Sequence, residues 1–473
     1  MKNFKRCLLV LLLPLVAFAA FSPAAGAEKA PAGIQYQYDP VPRASDDISA
    51  TASPSSTSED GTPSRFPLLL VLAIVLIVAI FGAKAYRDRA RRGTGGGRLS
   101  KPAVPLALMG AIIVGALAFG AGGTTAAPSP KAPKGFLGIA PQEGITSVDT
   151  ARMAAGGIRS IRTPISWDIV QPDSADDFDW GLYDQSFRAG AEAGIPILPV
   201  LYATPSWVAR KTTTLPTSAG QISAWRKFVA AAVQRYGAGG EFWKEPEQAG
   251  LKETPPKSWQ LWNEVNFHYF AAPVSAKNYG RMVNAASPVV RANDPSADVM
   301  LSGLFGRPKG NASKAVDAPK FLKQLSAYVK PKTIDSIALH PYSPNTAALK
   351  GLIADFRSSA NKAGYRSKPI HVTEIGWGSG KKTNTFLLGS EAKQAAQLKS
   401  ALGFLVKSRK QYKIASAYWY AWKDTDPKGV NCSFCYTIGL FKYTAPAADG
   451  GVRPLKPKAA WKAFVGISGG QAG

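Results

Sequence analysis

The sequence predicts an α/β chain, a (β/α)8 TIM barrel preceded by a signal peptide and a two-helix transmembrane hairpin. Three observations predict it. From residue 135 onward, eight short apolar runs alternate with helix-like segments, the sequence sign of a parallel sheet. Two of the runs, Ser258-Trp259-Gln260-Leu261-Trp262-Asn263-Glu264 and Pro369-Ile370-His371-Val372-Thr373-Glu374, end in a carboxylate. Ahead of all eight lie three apolar stretches free of charge.

In chain order, Lys2, Lys5 and Arg6 precede an apolar run over 7–21, and Ala25-Gly26-Ala27 supplies a small-residue cleavage pattern. Residues 1–27 therefore read as a secretory signal peptide, and the chain beyond them is expected outside the cytoplasm. Residues 28–65, rich in Ser, Thr, Pro, Ala and Asp, lack the apolar content to bury a core and read as a disordered linker. The stretches 66–83 and 103–123, 18 and 21 residues long, carry no charge. That length suits a bilayer crossing, which takes about 20 residues. Between them, Lys84, Arg87, Arg89, Arg91, Arg92, Arg98 and Lys101 are opposed only by Asp88, so the intervening loop is expected in the cytoplasm. Residues 66–123 thus read as a transmembrane hairpin, with everything after it on the extracellular side of the cell membrane. The Pro/Ala/Lys-rich segment 124–134 reads as a tether.

The barrel domain is expected over 135–473, with strands at 135–140, 158–165, 197–202, 259–262, 299–304, 334–339, 370–373 and 415–420. Segments 147–156, 224–236 and 391–408 carry apolar residues at helical spacing. A strand covered on both faces reads as a continuous apolar run, so a Glu at its end sits where the sheet opens into a loop. Glu264 and Glu374 are 110 positions apart. A barrel of ~250 residues uses about 30–45 per βα unit once loops are counted, which places the two at the ends of strands 4 and 7. Barrel enzymes carry their chemistry at those C-terminal ends.

The Trp262-Asn263-Glu264 tripeptide and the Thr373-Glu374 strand end resemble clan A glycoside hydrolases, particularly families 39 and 5, over roughly residues 135–465. The resemblance implies that Glu264 is the general acid/base and Glu374 the nucleophile. It implies that Asn263 binds the sugar hydroxyl beside the reacting carbon and that Arg162, at the end of strand 2, keeps Glu374 ionised. Tyr342 is expected to hydrogen-bond the nucleophile, His340 to line the sugar subsite, and Trp422 to stack on the pyranose face. Retaining hydrolysis needs one carboxylic acid and one carboxylate about 5 Å apart, and close like charges do not both ionise cheaply. Two carboxylates suffice for this chemistry, so no cofactor and no metal is implied. Val265 stands where Pro often follows the acid/base Glu, and Tyr202 stands where family 5 often has His, which points to a family 39-like relative.

The net charge is +26; residues 1–129 hold 13 basic and 7 acidic residues, leaving an excess of 20 in the barrel region. The basic residues there are dispersed rather than blocked, which does not suit nucleic acid. Cys432 and Cys435 form a lone CxxC, short of a four-ligand zinc set, and a local disulfide is expected outside the cytoplasm. The function expected is a membrane-anchored, outward-facing retaining glycoside hydrolase with a poly- or oligosaccharide substrate. A transglycosylase of the same fold and a catalytically inactive carbohydrate-binding envelope protein are the alternatives. Loops at 209–220 and 237–256 are expected to shape the substrate cleft. No motif bears on the sugar, the linkage or the oligomeric state.

Overall fold

The computed structural model describes residues 130–380, 385–426, 434–444 and 454–473. The signal peptide, linker and hairpin expected over 1–123 lie outside the described residues, as do most of the tether and Cys432. Among the described residues, no helix is long and apolar enough to cross a membrane.

Eight parallel strands close into a barrel: β1 (Leu137–Ala140), β2 (Ile161–Ser166), β3 (Ile197–Tyr202), β4 (Ser258–Asn263), β5 (Asp298–Phe305), β6 (Ser336–His340), β7 (Ile370–Ile375) and β8 (Ile414–Tyr420). Each pairs with its successor, and β8 returns to β1 with Leu137 opposite Ala417 and Ala140 opposite Tyr420. After each strand comes one longer helix: α1 (Ser147–Ala155), α2 (Gly181–Glu192), α3 (Ala219–Tyr236), α4 (Ala276–Asn293), α5 (Ala318–Leu325), α6 (Thr346–Lys362), α7 (Glu391–Tyr412) and α8 (Ala459–Ser468). This alternation completes the (β/α)8 count.

The helices start where side chains can satisfy their first amides. Thr146 and Asp149 form a capping box at α1, as do Ser218 and Gln221 at α3, while Ser275, Asn345 and Ser390 cap α4, α6 and α7. Such caps contribute about 1 kcal/mol each. The Ser218 cap explains why α3 begins five residues ahead of the apolar periodicity at 224. Strands β2 and β6 start later than their apolar runs, because Ile158 and Ile334 are fully buried on the connections that lead into the sheet.

The main core lies between the strands and the helix ring, and a second cluster of Leu198, Met300, Ala338 and Tyr418 fills the barrel interior. Residues 237–256 connect α3 to β4, so they belong to the end of the barrel opposite Glu264. The expectation that this loop shapes the cleft is therefore corrected. The β3–α3 connection, which contains 209–218, is at the C-terminal end.

Candidate active site

Glu264 immediately follows β4, and Glu374 is the fifth residue of β7. Both are buried, and one carboxylate oxygen of each lies within 4.8 Å of the other and of a His340 ring nitrogen. The chain at the end of β4 is sharply turned: Trp262 has φ 71° and Glu264 φ 38°. Such left-handed geometry costs non-glycine residues about 1–3 kcal/mol and has to be held by its surroundings. The Trp262 Nε1–H donates to Phe270 O at 2.8 Å, and the fully buried Asn266 amide donates to Phe305 O and Val316 O at 2.7 Å each. The loop is thereby fastened to β5 and to the segment before α5.

Arg162 joins the two carboxylate strands. It is the second residue of β2 rather than its last, so the expected position at the strand end is corrected: the side chain reaches toward the C-terminal end from low in the barrel. Its Nε donates to Gln260 Oε1 at 2.7 Å, one terminal nitrogen to Glu374 Oε1 at 2.5 Å and the other to Asn263 Oδ1 at 2.6 Å. Tyr342 donates to the second Glu374 oxygen at 2.9 Å. Glu374 thus accepts a charged and a neutral hydrogen bond, both of which favour the ionised form.

Glu264 has a different environment. Its Oε1 lies 2.6 Å from His340 Nδ1, and His340 Nε2 lies 3.0 Å from Thr373 Oγ1. Burial, and then the charge of Glu374, push the Glu264 carboxyl well above the usual carboxylate range against the weaker pull of Arg162. Burial also raises Glu374, but Arg162 and Tyr342 oppose it. Burial and the Arg162 charge push His340 well below the ordinary imidazole value, so the ring is neutral. A neutral imidazole has one donor and one acceptor nitrogen. With Glu264 protonated, its O–H donates to Nδ1 while Nε2–H donates to Thr373. With Glu264 ionised, the other tautomer donates from Nδ1.

The structure therefore brings together Glu264, Glu374, Arg162, Asn263, His340 and Tyr342. Two of the expected sugar contacts are reassigned. His340 is fully buried with both ring nitrogens engaged, so it orients Glu264 and Thr373 rather than lining open space. Trp422 is also fully buried, packs on Phe441 and Trp461, and donates to Asp149 Oδ1 at 2.8 Å. No face of its ring is left for a sugar. Cys435 is disulfide-bonded; the expected partner, Cys432, lies outside the described residues.

Sequence reasoning missed Gln260, Gly303 and the bridging role of Thr373. Gln260 was discernible as a polar residue inside an apolar strand, and it is fully buried. Gly303 has no comparable signal: a Cβ there would lie 2.0 Å from His340 Nε2, so β5 needs glycine to admit the imidazole. Glu264, His340 and Glu374 have the spacing of a metal-ligand triad. The donor set fits a cation poorly, because both Glu374 oxygens are hydrogen-bonded and one of their partners is a guanidinium.

No protein-family model and no curated protein matches the chain. Solved structures do. A family 39 glycoside hydrolase from Bacteroides cellulosilyticus WH2 superposes with a TM-score of 0.52 at 20% identity, covering 71% of this chain and 64% of that one. A glucosidase from Croceicoccus marinus superposes with a TM-score of 0.51 at 16% identity, covering 72% and 68%. The likeness is one of fold, and the match spans less than two thirds of the Bacteroides enzyme.

Proposed function

We propose that the barrel is a retaining glycoside hydrolase, a β-glycosidase acting by double displacement with Glu374 as nucleophile and Glu264 as general acid/base. The observation that carries this reading is the paired carboxylates, within 4.8 Å of each other and unlike in their partners. Retaining enzymes hold the two groups about 5–5.5 Å apart, whereas inverting ones leave about 6.5–9.5 Å for a water. Glu374, fixed by Arg162 and Tyr342, attacks the anomeric carbon and forms a glycosyl ester. Glu264 gives its proton to the departing oxygen and then, ionised, takes one from the incoming water. The Asn263 amide nitrogen is left to donate to the sugar, since its oxygen already accepts from Arg162. The superposable structures include a family 39 glycoside hydrolase and a glucosidase, which supports a glycoside as the substrate.

The test is turnover of aryl β-glycosides and oligosaccharides by the full chain beside Glu264→Ala and Glu374→Ala. The expected result is a loss of about 10²–10⁴-fold for the acid/base variant, smallest for aglycones that leave without a proton. The nucleophile variant should lose all measurable turnover. Added azide should restore Glu264→Ala and give a glycosyl azide of retained configuration. Inverted product from the parent, or full activity in Glu374→Ala, would sink the mechanism.

We propose further that the barrel is tethered outside the cell membrane by the hairpin at 66–123, on the strength of its uncharged lengths and its seven-cation loop. A periplasm-active reporter fused after residue 130 should be active, and the same reporter fused at residue 94 inactive. The opposite pattern would reverse the topology.

A further inference from the structure

A cavity of about 470 Å³ opens at the end of the barrel opposite Glu264 and Glu374. Its lining comes from seven of the eight strands and the segments that lead into them. Leu198, Met300 and Tyr418 form an apolar floor that coincides with the interior cluster of the barrel. Ser160, Ser416 and His371 form polar walls, and Lys134, Arg159 and Lys257 are the charged residues of the lining, with no Asp or Glu among them. The walls are preorganised: Tyr418 donates to Ser160 Oγ at 2.9 Å, and His371 Nδ1 lies 2.7 Å from Ser416 Oγ. That leaves the His371 Nε2 without a hydrogen-bond partner among the described residues. The Arg159 guanidinium is braced by Ala154 O and Ile158 O at 2.7 and 2.8 Å. Lys134 and Lys257 are exposed, and none of the three cations forms an ion pair among the described residues.

Small-molecule sites are concave, about 300–1,000 Å³ in volume, mostly apolar and with a few convergent polar groups. Three like charges at one opening repel one another unless something of opposite sign lies between them. We propose that this basal cavity is a binding site for a compact oxyanion-bearing molecule of about monosaccharide size. Its carboxylate or phosphate is held by Lys134, Arg159 and Lys257, and its body meets the wall of Ser416 and His371 and the floor at Tyr418. A uronic acid and a sugar phosphate share this chemistry. The site is separate from the carboxylate pair: His371 and Glu374 belong to the same strand, three residues or about 10 Å apart along it.

The experiment is isothermal titration of the full chain, and of the folded double variant Lys134→Ala/Lys257→Ala, with inorganic phosphate, glucuronate and glucose 6-phosphate, with glucose as the uncharged control. The expected result is saturable binding of at least one anion, weakened tenfold or more in the double variant, with glycosidase activity unchanged. Preference for glucuronate or for glucose 6-phosphate then names the source of the oxyanion. Because Lys→Ala also removes a stem, Lys257→Arg serves as the charge-conserving control and should retain binding. No saturable binding of any anion, equal binding by parent and double variant, or glucose binding as tightly as the anions would overturn the proposal.

Discussion

Arg162 has five N–H donors in a rigid fork, and the fold directs them to three acceptors on two strands, which a lysine ammonium cannot reproduce. The side chain fixes where Glu374 and Asn263 point and supplies the positive charge that opposes the burial of Glu374. Arg162→Lys is therefore expected to lower kcat/KM by about 10²–10³-fold, the usual cost of losing a preorganised donor at a reacting centre. It should also move the acidic limb of the pH–rate profile upward, since Glu374 keeps its proton to higher pH when fewer donors favour its anion. Kinetics across pH 4–9 decides this: a lower rate with an unmoved limb would show that Arg162 places groups without tuning them. The same network shows why site residues differ in legibility. Glu264 and Glu374 stand out as charges at the ends of apolar runs. The true position of Arg162 does not, because only the closed barrel, across which its side chain reaches β4 and β7, shows that a residue near the start of a strand serves the opposite end.

At the scale of an element, the turn that follows β4 positions the acid/base. Its left-handed φ values at Trp262 and Glu264 are held by Asn266, whose side-chain oxygen also accepts from Phe305 N at 2.9 Å. Asn266→Ala strips partners from one amide and two carbonyl groups of the chain, at about 1–3 kcal/mol for each group that stays buried and unpaired. The expected outcome is a loss of roughly 2–4 kcal/mol in chemical unfolding, with kcat falling more than KM rises, because substrate binding does not require Glu264 to point correctly. A variant that keeps parental kcat would show that the turn holds its shape without the staple. The eight strands were legible because burial on both faces leaves little but apolar residues in them, and their order follows from the βα alternation. Their first residues were less so: apolar character at 158 and 334 reports burial, which a connecting segment under a helix shares with a strand. Trp422 was misjudged for a related reason. An aromatic after the last strand can face a ligand or the next helix, and α8 supplies Trp461, against which it packs.

For the whole molecule, burying ionisable groups couples stability to pH, and Glu264 and its hydrogen-bond partner His340 act in opposite directions. Glu264 has an ordinary value of 4.5 and is raised well above it when folded, so between those limits the native state holds a proton that the unfolded chain has released. Stability therefore falls as pH rises through that window, by at most about 1.4 kcal/mol per pH unit for one proton. Glu374 contributes in the same direction, opposed by its donors. His340 is held neutral when folded but protonates below about 6.5 when unfolded, so its contribution is lost as pH falls below that value. Replacing Glu264 by its neutral isostere removes the alkaline-side loss and leaves the histidine contribution in place. Glu264→Gln should consequently melt higher than the parent at pH 8, by about 2–4 °C for each kcal/mol recovered, and the gap should shrink toward pH 5, where the parent carboxyl is itself protonated. Thermal unfolding of both chains at the two pH values settles it. An equal gap at pH 5 and pH 8 would mean that the gain comes from packing or hydrogen bonding and that Glu264 ionises without penalty, which would also remove the physical basis for its role as the proton donor.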